Sequence, residues 1–343
     1  MAMKFGISFA PNHPQEFAEW SRASEDAGFE RVGVVDSQAI YRELYLSCAA
    51  GVHATRSIQL GPRVTNALTR HPTVTASAML TLNELAPGRV FVGLGTGDSA
   101  VFNIGLKPIK LAALAEFTAC LRALMRGESV QYQGHEQKIT WGKADIPIYI
   151  AGHGPKTLEL AGQYADGVVV GTGVGEDVVR DAYARIGAGA ARAGRKLEDL
   201  DIWWALSAHI GNSREEALSV IRMMLAAKAN HLARFPEQDK QVPPQYREIL
   251  ESIHKGYNYL EHQKPGENTK NASMVRESGL ENYLADRYAI AGTPEDCLAT
   301  IQRMHDEGVR KIWLNVHFED KLRFIRRWGK EVMERLAAEP AAA

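Results

Sequence analysis

Polar and glycine-rich segments follow several short apolar runs of this chain, and they hold most of its chemically versatile residues. The segments are Asn12-His13, Asp36-Ser37-Gln38, Thr65-Asn66 with Arg70-His71, Gly95-Thr96-Gly97-Asp98-Ser99, Gly152-His153-Gly154, Gly171-Thr172-Gly173 and Asn315-Val316-His317. Parallel strands bring the residues after their carboxyl ends together at one face. A histidine alone is readily structural, but His13, His153 and His317 follow three separate runs, which favours a shared functional site.

Two glycine-rich turns, at 152–157 and 171–175, each lead into the start of a predicted helix. Unpaired backbone N–H groups at a helix start bind phosphate, and glycine lets the backbone approach a ligand closely. Thr157 and Thr172 add hydroxyl donors. One such turn alone is more simply a tight connection, but two on neighbouring strands favour a phosphate site.

The sequence Gly95-Thr96-Gly97-Asp98-Ser99-Ala100 fits the G-x-G-x-x-A pattern of dinucleotide-binding turns. That pattern normally opens the first βαβ unit of a fold and runs directly into a helix. Here it follows the fourth predicted strand and enters a stretch that contains Gly105 and Pro108. We therefore do not interpret it as a dinucleotide site.

Other acid–base or metal chemistry has few candidates in the sequence. No Ser-His-Asp or paired-carboxylate spacing stands out, and the three cysteines lack the spacing of zinc ligands. Pro72 fits the first position of a helix, so Arg70 is equally a structural or an active-site residue, and His71 is more simply structural. Sparse catalytic groups beside a phosphate site are typical of enzymes whose cofactor carries the chemistry. We predict no metal.

Eight predicted strands, nearly all followed by a predicted helix, position these segments. The strands lie at about 4–10, 30–35, 58–66, 89–94, 146–151, 166–170, 201–210 and 311–317. Alternation of strand and helix is typical of a parallel sheet, and eight such units predict a (β/α)8 TIM barrel of the α/β class. An open doubly wound sheet is the alternative.

The alternation stops after the seventh strand. From about 230 to 285 the chain is polar and rich in His, Gln, Asn, Lys and Pro, and it is long for a plain loop. We interpret this stretch as an insertion between strands seven and eight, helical in part, that acts as a lid. The whole chain, 1–343, is then a single barrel domain.

Composition limits the classes of partner. The formal net charge of −1 indicates no basic surface for nucleic acid. The N-terminus is typical of a first strand rather than a signal peptide, and no apolar run approaches the ~18 residues of a membrane span. We predict a cytoplasmic protein without a nucleic-acid or membrane partner.

Three longer segments carry a family resemblance. They are VTNALTRHPTVTASAMLTLNELAPGRVFVGLGTGDSA at 64–100, AGHGPKTLELAGQYADGVVVGTG at 151–173 and AIAGTPEDCLATIQRMHDEGVRKIWLN at 289–315. In this order they resemble the bacterial luciferase-like superfamily of flavin- or deazaflavin (F420)-dependent barrel oxidoreductases, which includes methylenetetrahydromethanopterin reductases. The similarity covers most of the chain and thins over about 230–285.

The resemblance implies roles for individual residues. Cofactor contacts are implied for Val64, Thr65 and Asn66 behind the ring, Thr96, Gly97 and Asp98 at its edge, and His153, Gly154, Thr157, Gly171, Thr172 and Gly173 at the phosphate. A non-prolyl cis peptide, as in many members, is expected between Arg63 and Val64. Asp36 and Ser37 match positions near the ring or the substrate, which makes Asp36 a catalytic candidate. Ala67 departs from the family, where proline is frequent after Thr-Asn.

Two cofactors are compatible with the resemblance. The first hypothesis is a monooxygenase that takes reduced FMN from a separate flavin reductase and uses O2 on a small organic substrate, with His13 or His317 as proton donor. The alternative is an F420-dependent oxidoreductase that transfers hydride at C5 of the deazaflavin. Its polyglutamate tail would then contact Lys107, Lys110 or Lys156. A non-enzymatic flavin-binding or dimer-forming homologue is disfavoured by the polar strand ends. Members are commonly dimers, so we expect a homodimer or a higher homo-oligomer.

Overall fold

The computed structural model describes residues 3–234, 239–261, 266 and 268–338. In this part of the chain the strands are β1 (Lys4–Phe9), β2 (Arg31–Val34), β3 (Gln59–Pro62), β4 (Thr65–Asn66), β5 (Val92–Gly95), β6 (Val130–Tyr132), β7 (His135–Gln137), β8 (Ile148–Gly152), β9 (Gly167–Val170), β10 (Asp201–Ile210), β11 (Ala289–Gly292) and β12 (Lys311–Val316).

The α-helices are α1 (Pro14–Asp26), α2 (Leu44–Ala54), α3 (Pro72–Leu85), α4 (Ser99–Phe102), α5 (Leu111–Met125), α6 (Pro155–Tyr164), α7 (Glu176–Arg192), α8 (Arg214–Ala233), α9 (Arg247–Gly256), α10 (Lys270–Ser278), α11 (Glu281–Tyr288), α12 (Pro294–Asp306), α13 (Lys321–Trp328) and α14 (Glu334–Ala338). Short 3-10 turns lie at Leu197–Asp199, Pro244–Tyr246 and Tyr259–Glu261, and a π-helical turn at Gly329–Met333 joins α13 to α14.

The strands form a parallel barrel in the order β3-β2-β1-β12-β10-β9-β8-β5-β4. Two backbone hydrogen bonds join β3 to the start of β5 and close the ring: Leu60 N–H donates to Arg89 O at 2.8 Å, and Phe91 N–H donates to Leu60 O at 3.2 Å. The predicted (β/α)8 barrel is therefore confirmed, and the open doubly wound sheet is not what the chain forms. The third predicted strand is divided into β3 and β4.

Strand β11 is an addition that the sequence pattern did not predict. Residues 289–292 pair with 207–210, so β11 extends the sheet beside the carboxyl end of β10. This pairing anchors the chain segment between β10 and β12 on the barrel. The predicted hairpin near 130–141 is present as β6 and β7.

The barrel interior has its own apolar cluster, separate from the larger core between strands and helices. Phe91, Tyr149, Trp203 and Trp313 dominate it. At the amino-terminal end the guanidinium of Arg31 lies 4.8 Å from the Tyr149 ring centre and 4.9 Å from that of Trp203. A cation placed on aromatic faces is stabilised by their quadrupoles, so Arg31 fills this end of the barrel.

Helix α8 lies across the opposite, carboxyl-terminal end. It begins next to the end of β10 and contacts β11 on one side and α9, α10 and α11 on others. Most of its residues are buried because it is covered on several sides. The stretch predicted as a polar insertion is thus helical through much of its described part, and a lid movement stays a prediction.

Candidate active site

The break between β3 and β4 shapes the wall of the barrel mouth. The peptide bond between Arg63 and Val64 is cis, as predicted. Glycines of the neighbouring strands make room for this segment: a Cβ on Gly33 would lie 2.3 Å from Arg63 Cβ, and a Cβ on Gly95 would lie 3.0 Å from a Val64 methyl. A larger residue at either glycine would displace the wall.

Asp36 is the centre of an ion-pair network beside that wall. Its side chain is 2% exposed, and Arg70 Nη1 donates to Asp36 Oδ2 at 2.6 Å. Thr65 Oγ1 donates to the same oxygen at 2.6 Å, and Arg70 Nη2 contacts Glu43 Oε1 at 3.1 Å. Arg70 therefore has a clear structural partner. Both oxygens of the Asp36 carboxylate thus accept from Arg70, so the pair holds the ends of β2 and β4 together.

Asp98, after β5, forms a second cluster with two residues of the α8 region. His231 Nε2 lies 2.7 Å from Asp98 Oδ2, and Arg234 Nη1 lies 3.1 Å from Asp98 Oδ1. Burial lowers the pKa of His231 to about 4, although Asp98 opposes this. At neutral pH the imidazole is thus uncharged and donates its Nε2 proton to the carboxylate.

His153, at the end of β8, lies against this cluster. Its ring centre is 4.7 Å from that of His231. The ring also covers the end of β9, because a Cβ on Gly171 would lie 2.5 Å from it. Burial, with the nearby His231 and Lys228, lowers the pKa of His153 well below its ordinary value. His153 is thus a neutral imidazole at the mouth.

The start of α6 is the better anion site of the two predicted turns. Its N-cap, Gly154, contributes no side-chain cap, and the first turn holds no acidic residue. At the start of α7, by contrast, Gly175 N–H donates to Glu307 Oε2 at 3.0 Å, and acidic residues occupy the first turn. Negative charge already balances the α7 dipole, so phosphate is favoured at α6, near Thr157.

Two residues of the loop after β9, the strand that pairs with β8, belong to the second predicted turn. The buried Thr172 Oγ1 has no hydrogen-bond partner among the described residues, while the Thr172 carbonyl accepts from Arg287 Nε at 2.9 Å. Gly173 has φ +88°, and a Cβ there would lie 2.5 Å from the Arg287 side chain. Arg287 thus fixes the loop and leaves a hydroxyl donor for a ligand.

The remaining predicted residues have different surroundings. His13 is exposed, and its Nδ1 accepts from Gln15 N–H at 3.2 Å as the N-cap of α1. His71 caps α3 in the same way, as the structural interpretation predicted. His317 is buried, 4% exposed, at the end of β12. Thus His153 lies with Asp98, while the structure gives His13 a capping contact.

Sequence reasoning missed the residues that α8 brings to the mouth. Lys228, His231 and Arg234 recur at intervals of three, so they lie near one face at the end of the helix. Their spacing within the otherwise apolar MMLAAKANHLAR was the available signal. The polar insertion predicted from about 230 begins in the middle of this face, so the pattern does not stand out as part of one helix.

The described residues also bear on two other classes of site. They contain no grouping of three or more His, Cys, Asp or Glu side chains suited to a metal ion. Among their helices, none has the length and apolar character that crossing a membrane requires.

Comparison with known proteins gives the site a context. A family model described as luciferase-like monooxygenase matches residues 3–311. The chain is 30% identical over 346 residues to the 5,10-methylenetetrahydromethanopterin reductase of Methanolobus tindarius, covering 96% of this chain and 100% of that protein. It is 28% identical over 345 residues to the F420-dependent glucose-6-phosphate dehydrogenase of Nakamurella multipartita, covering 95% and 93%.

Solved structures share the fold. The coenzyme F420-dependent tetrahydromethanopterin reductase from Methanopyrus kandleri superposes with a TM-score of 0.76 at 24% identity, covering 98% of this chain and 99% of that chain. A monooxygenase from Streptomyces bottropensis gives 0.69 at 18% identity, covering 97% and 100%. At these identities the likeness shows the architecture alone.

Proposed function

The chain belongs to the luciferase-like monooxygenase family, and from this premise we propose that it is an F420-dependent oxidoreductase acting on a small molecule. The observation that carries the proposal is similarity over nearly the full length to relatives of one cofactor class. The glucose-6-phosphate dehydrogenase relative and the solved tetrahydromethanopterin reductase are both named as F420-dependent. The first hypothesis of the sequence analysis, reduced FMN with O2, has support only from more distant members of the family.

The residues present suit such a cofactor. Its phosphate requires N–H and hydroxyl donors without competing acids, and the start of α6 with Thr157 and Thr172 supplies them. Its flat ring requires a smooth wall, which Val64 forms over Gly93 and Gly95. Lys107, Lys110 and Lys156 are exposed near the rim and stay the candidates for the acidic tail.

When bound, F420 supplies hydride chemistry at C5 of its deazaflavin ring. The contribution of the chain is to hold the reactants and handle a proton. His231 Nε2 donates its proton to Asp98 Oδ2 at 2.7 Å, and Arg234 stabilises the carboxylate. We propose that this pair passes a proton to or from the substrate. Helix α8 covers the mouth and excludes water from it.

Cofactor titration tests the proposal. The purified protein is titrated with F420, oxidised FMN and, anaerobically, reduced FMN, and binding is followed by fluorescence and calorimetry. We expect saturable F420 binding and little affinity for reduced FMN. Tight binding of reduced FMN without F420 binding would restore the monooxygenase hypothesis. Binding of neither would refute both cofactor assignments.

The oligomeric state stays a prediction. The resemblance implies a homodimer through the second and third helices, and Leu46 on α2 and Val74 on α3 are exposed apolar residues on these helices. Analytical ultracentrifugation of the wild type and of a Leu46→Glu variant tests this assignment. A wild-type monomer would contradict it.

A further inference from the structure

The guanidinium of Arg63 lies in the barrel mouth. Two of its nitrogen atoms have no hydrogen-bond acceptor among the described residues. The side chain lies over Trp313, with its Cζ atom 5.3 Å from the ring centre. Its Nε and Nη2 atoms are buried and have no hydrogen-bond partner among the described residues. An unpaired buried donor costs free energy, and a charged one costs more. Such an arrangement indicates an acceptor that arrives with a ligand.

The two unpaired atoms form one edge of the guanidinium fork. The N–H bonds at Nε and Nη2 point the same way from the planar group, so a carboxylate can accept from both with its two oxygens. This bidentate geometry selects for an anion with two oxygens in one plane. Stacking on Trp313 fixes the plane of the fork and leaves this edge directed at the ligand.

Lys228 brings a second positive charge to the same region. It is 7% exposed on α8, and its Nζ lies 5.5 Å from the Tyr288 ring centre. None of the described carboxylates forms an ion pair with it, because Asp98 is engaged by His231 and Arg234. Burial, with the neighbouring charge of Arg63, lowers the pKa of Lys228 to about 7.

Arg63 faces the barrel interior rather than the start of α6. It follows β3, and β4 and β5 lie between it and β8, the strand that leads into α6. Its guanidinium lies over Trp313, which belongs to the interior cluster. His153 and Asp98 lie at the ends of β8 and β5, where the proposed proton transfer takes place, so Arg63 directs positive charge into the reaction chamber.

We propose that Arg63 and Lys228 form a carboxylate-binding site inside the barrel mouth, and that the substrate of this enzyme is an organic acid. The site itself follows from the two unpaired cations. Its assignment to the substrate rests on the proposed F420-dependent function. Arg63 orients the carboxylate through its fork, and Lys228 neutralises the remaining charge.

Calorimetry on the cofactor-free protein tests the site without any turnover. Sodium benzoate is titrated into the wild type, Arg63→Gln, Lys228→Met and, as a matched control at an exposed lysine, Lys138→Met. We expect one benzoate per chain in the wild type, about 10- to 100-fold weaker binding in the first two variants, and unchanged binding in the control. Absence of saturable binding, or equal binding by Arg63→Gln, would overturn the proposal.

A thermal-stability measurement separates ligand binding from a structural role. Arg63→Met should raise the melting temperature of the cofactor-free protein, because it removes an unpaired buried charge. A lower melting temperature with unchanged benzoate affinity would mean that Arg63 only packs on Trp313, and would refute the site. If this variant does not fold, Lys228→Met decides the question in the same two assays. Loss of benzoate binding in Thr157→Trp but not in Arg63→Gln would place the anion at α6 instead.

Substrate assignment has its own assay. Oxidation of reduced F420 is followed with pairs of carbonyl compounds that differ only in a carboxylate group. The acid should react with a lower KM, and Arg63→Gln should erase that difference. Equal KM values for both members in the wild type would overturn the assignment. Loss of F420 binding in the separate titration would instead mark failure of the proposed function, with the benzoate result unaffected.

Discussion

Replacing Lys228 with methionine should stabilise this protein, and the size of the effect should depend on pH. Lys228 is buried on α8 and has no carboxylate partner among the described residues. Methionine has a similar length and no charge, so it retains most of the apolar contacts of the lysine stem. The wild-type protein therefore bears the free-energy cost of a buried charge without a carboxylate partner, and the variant does not.

The magnitude follows from the pKa of the lysine. Burial and Arg63 lower it from 10.5 to about 7 in the folded chain. At 1.36 kcal/mol per pKa unit, this corresponds to about 5 kcal/mol of lost stability at and below pH 7. As pH rises from 7 towards 10.5, the folded state loses its proton before the unfolded state does, so the wild type gains stability. The advantage of the variant should therefore shrink by about 2 kcal/mol between pH 7 and pH 9.

Urea unfolding at pH 6, 7.5 and 9, followed by circular dichroism, measures this difference. The groups around Lys228 should not change their own charge between pH 6 and pH 9. His153 and His231 are neutral across this range. The pKa values of Arg63 and Tyr288 are about 10 and about 12. Lys240 provides the matched control because it is a buried lysine with hydrogen-bond acceptors. Its Nζ donates to the carbonyl of His231 at 2.8 Å and also to those of Leu232 and Arg234.

The two lysines should behave in opposite ways. Lys240→Met leaves carbonyl groups unsatisfied and should destabilise the protein at every pH, whereas Lys228→Met should stabilise it near neutral pH. If Lys228→Met is less stable than the wild type from pH 6 to 9, the lysine has a stabilising partner and the reasoning is refuted. A pH-independent gain would mean that burial does not depress its pKa.

Three further substitutions test other parts of the molecule. Thr157→Trp should weaken F420 binding by more than about tenfold in a fluorescence titration, because it removes a hydroxyl donor and blocks the α6 start; unchanged affinity would reject the phosphate site. Glu25→Ala should cost about 1–3 kcal/mol in urea unfolding, because its carboxylate accepts from the N–H groups of Ser57 and Ile58 at 2.6 and 2.9 Å; a neutral result would show that the loop holds without it. The wild type should lose stability as the pH falls from 6.5 to 4, because the pKa of His231 is about 4 in the folded state and the unfolded state therefore binds the proton first. His231→Gln should remove this loss in urea unfolding, and an unchanged pH dependence in the variant would contradict the assignment.

Local sequence patterns were sufficient for the barrel. Alternation of apolar runs with predicted helices located the eight barrel strands, the third of which is divided into β3 and β4. These features depend on residues within one or two helical turns of each other. The family resemblance added the cis peptide at Arg63–Val64, which no periodicity would indicate.

The long-range pairings of the site were beyond such patterns. Asp98 meets His231 across 133 positions of sequence, and Glu307 meets Gly175 across 132. The second pairing changed the interpretation of the two glycine-rich turns, because a distant carboxylate already occupies the start of α7. A turn that looks equally suited to phosphate in sequence differs in charge once the chain is folded.

The packing of Arg31 on aromatic rings at the amino-terminal end of the barrel has a kinetic consequence. Because a guanidinium on Tyr149 and Trp203 fills this end of the barrel, ligands of the proposed site would enter at the opposite face, which α8 covers. A cofactor ring at Val64 and an acid at Arg63 would then share this route. We expect each bound ligand to slow the exchange of the other, which stopped-flow displacement measures.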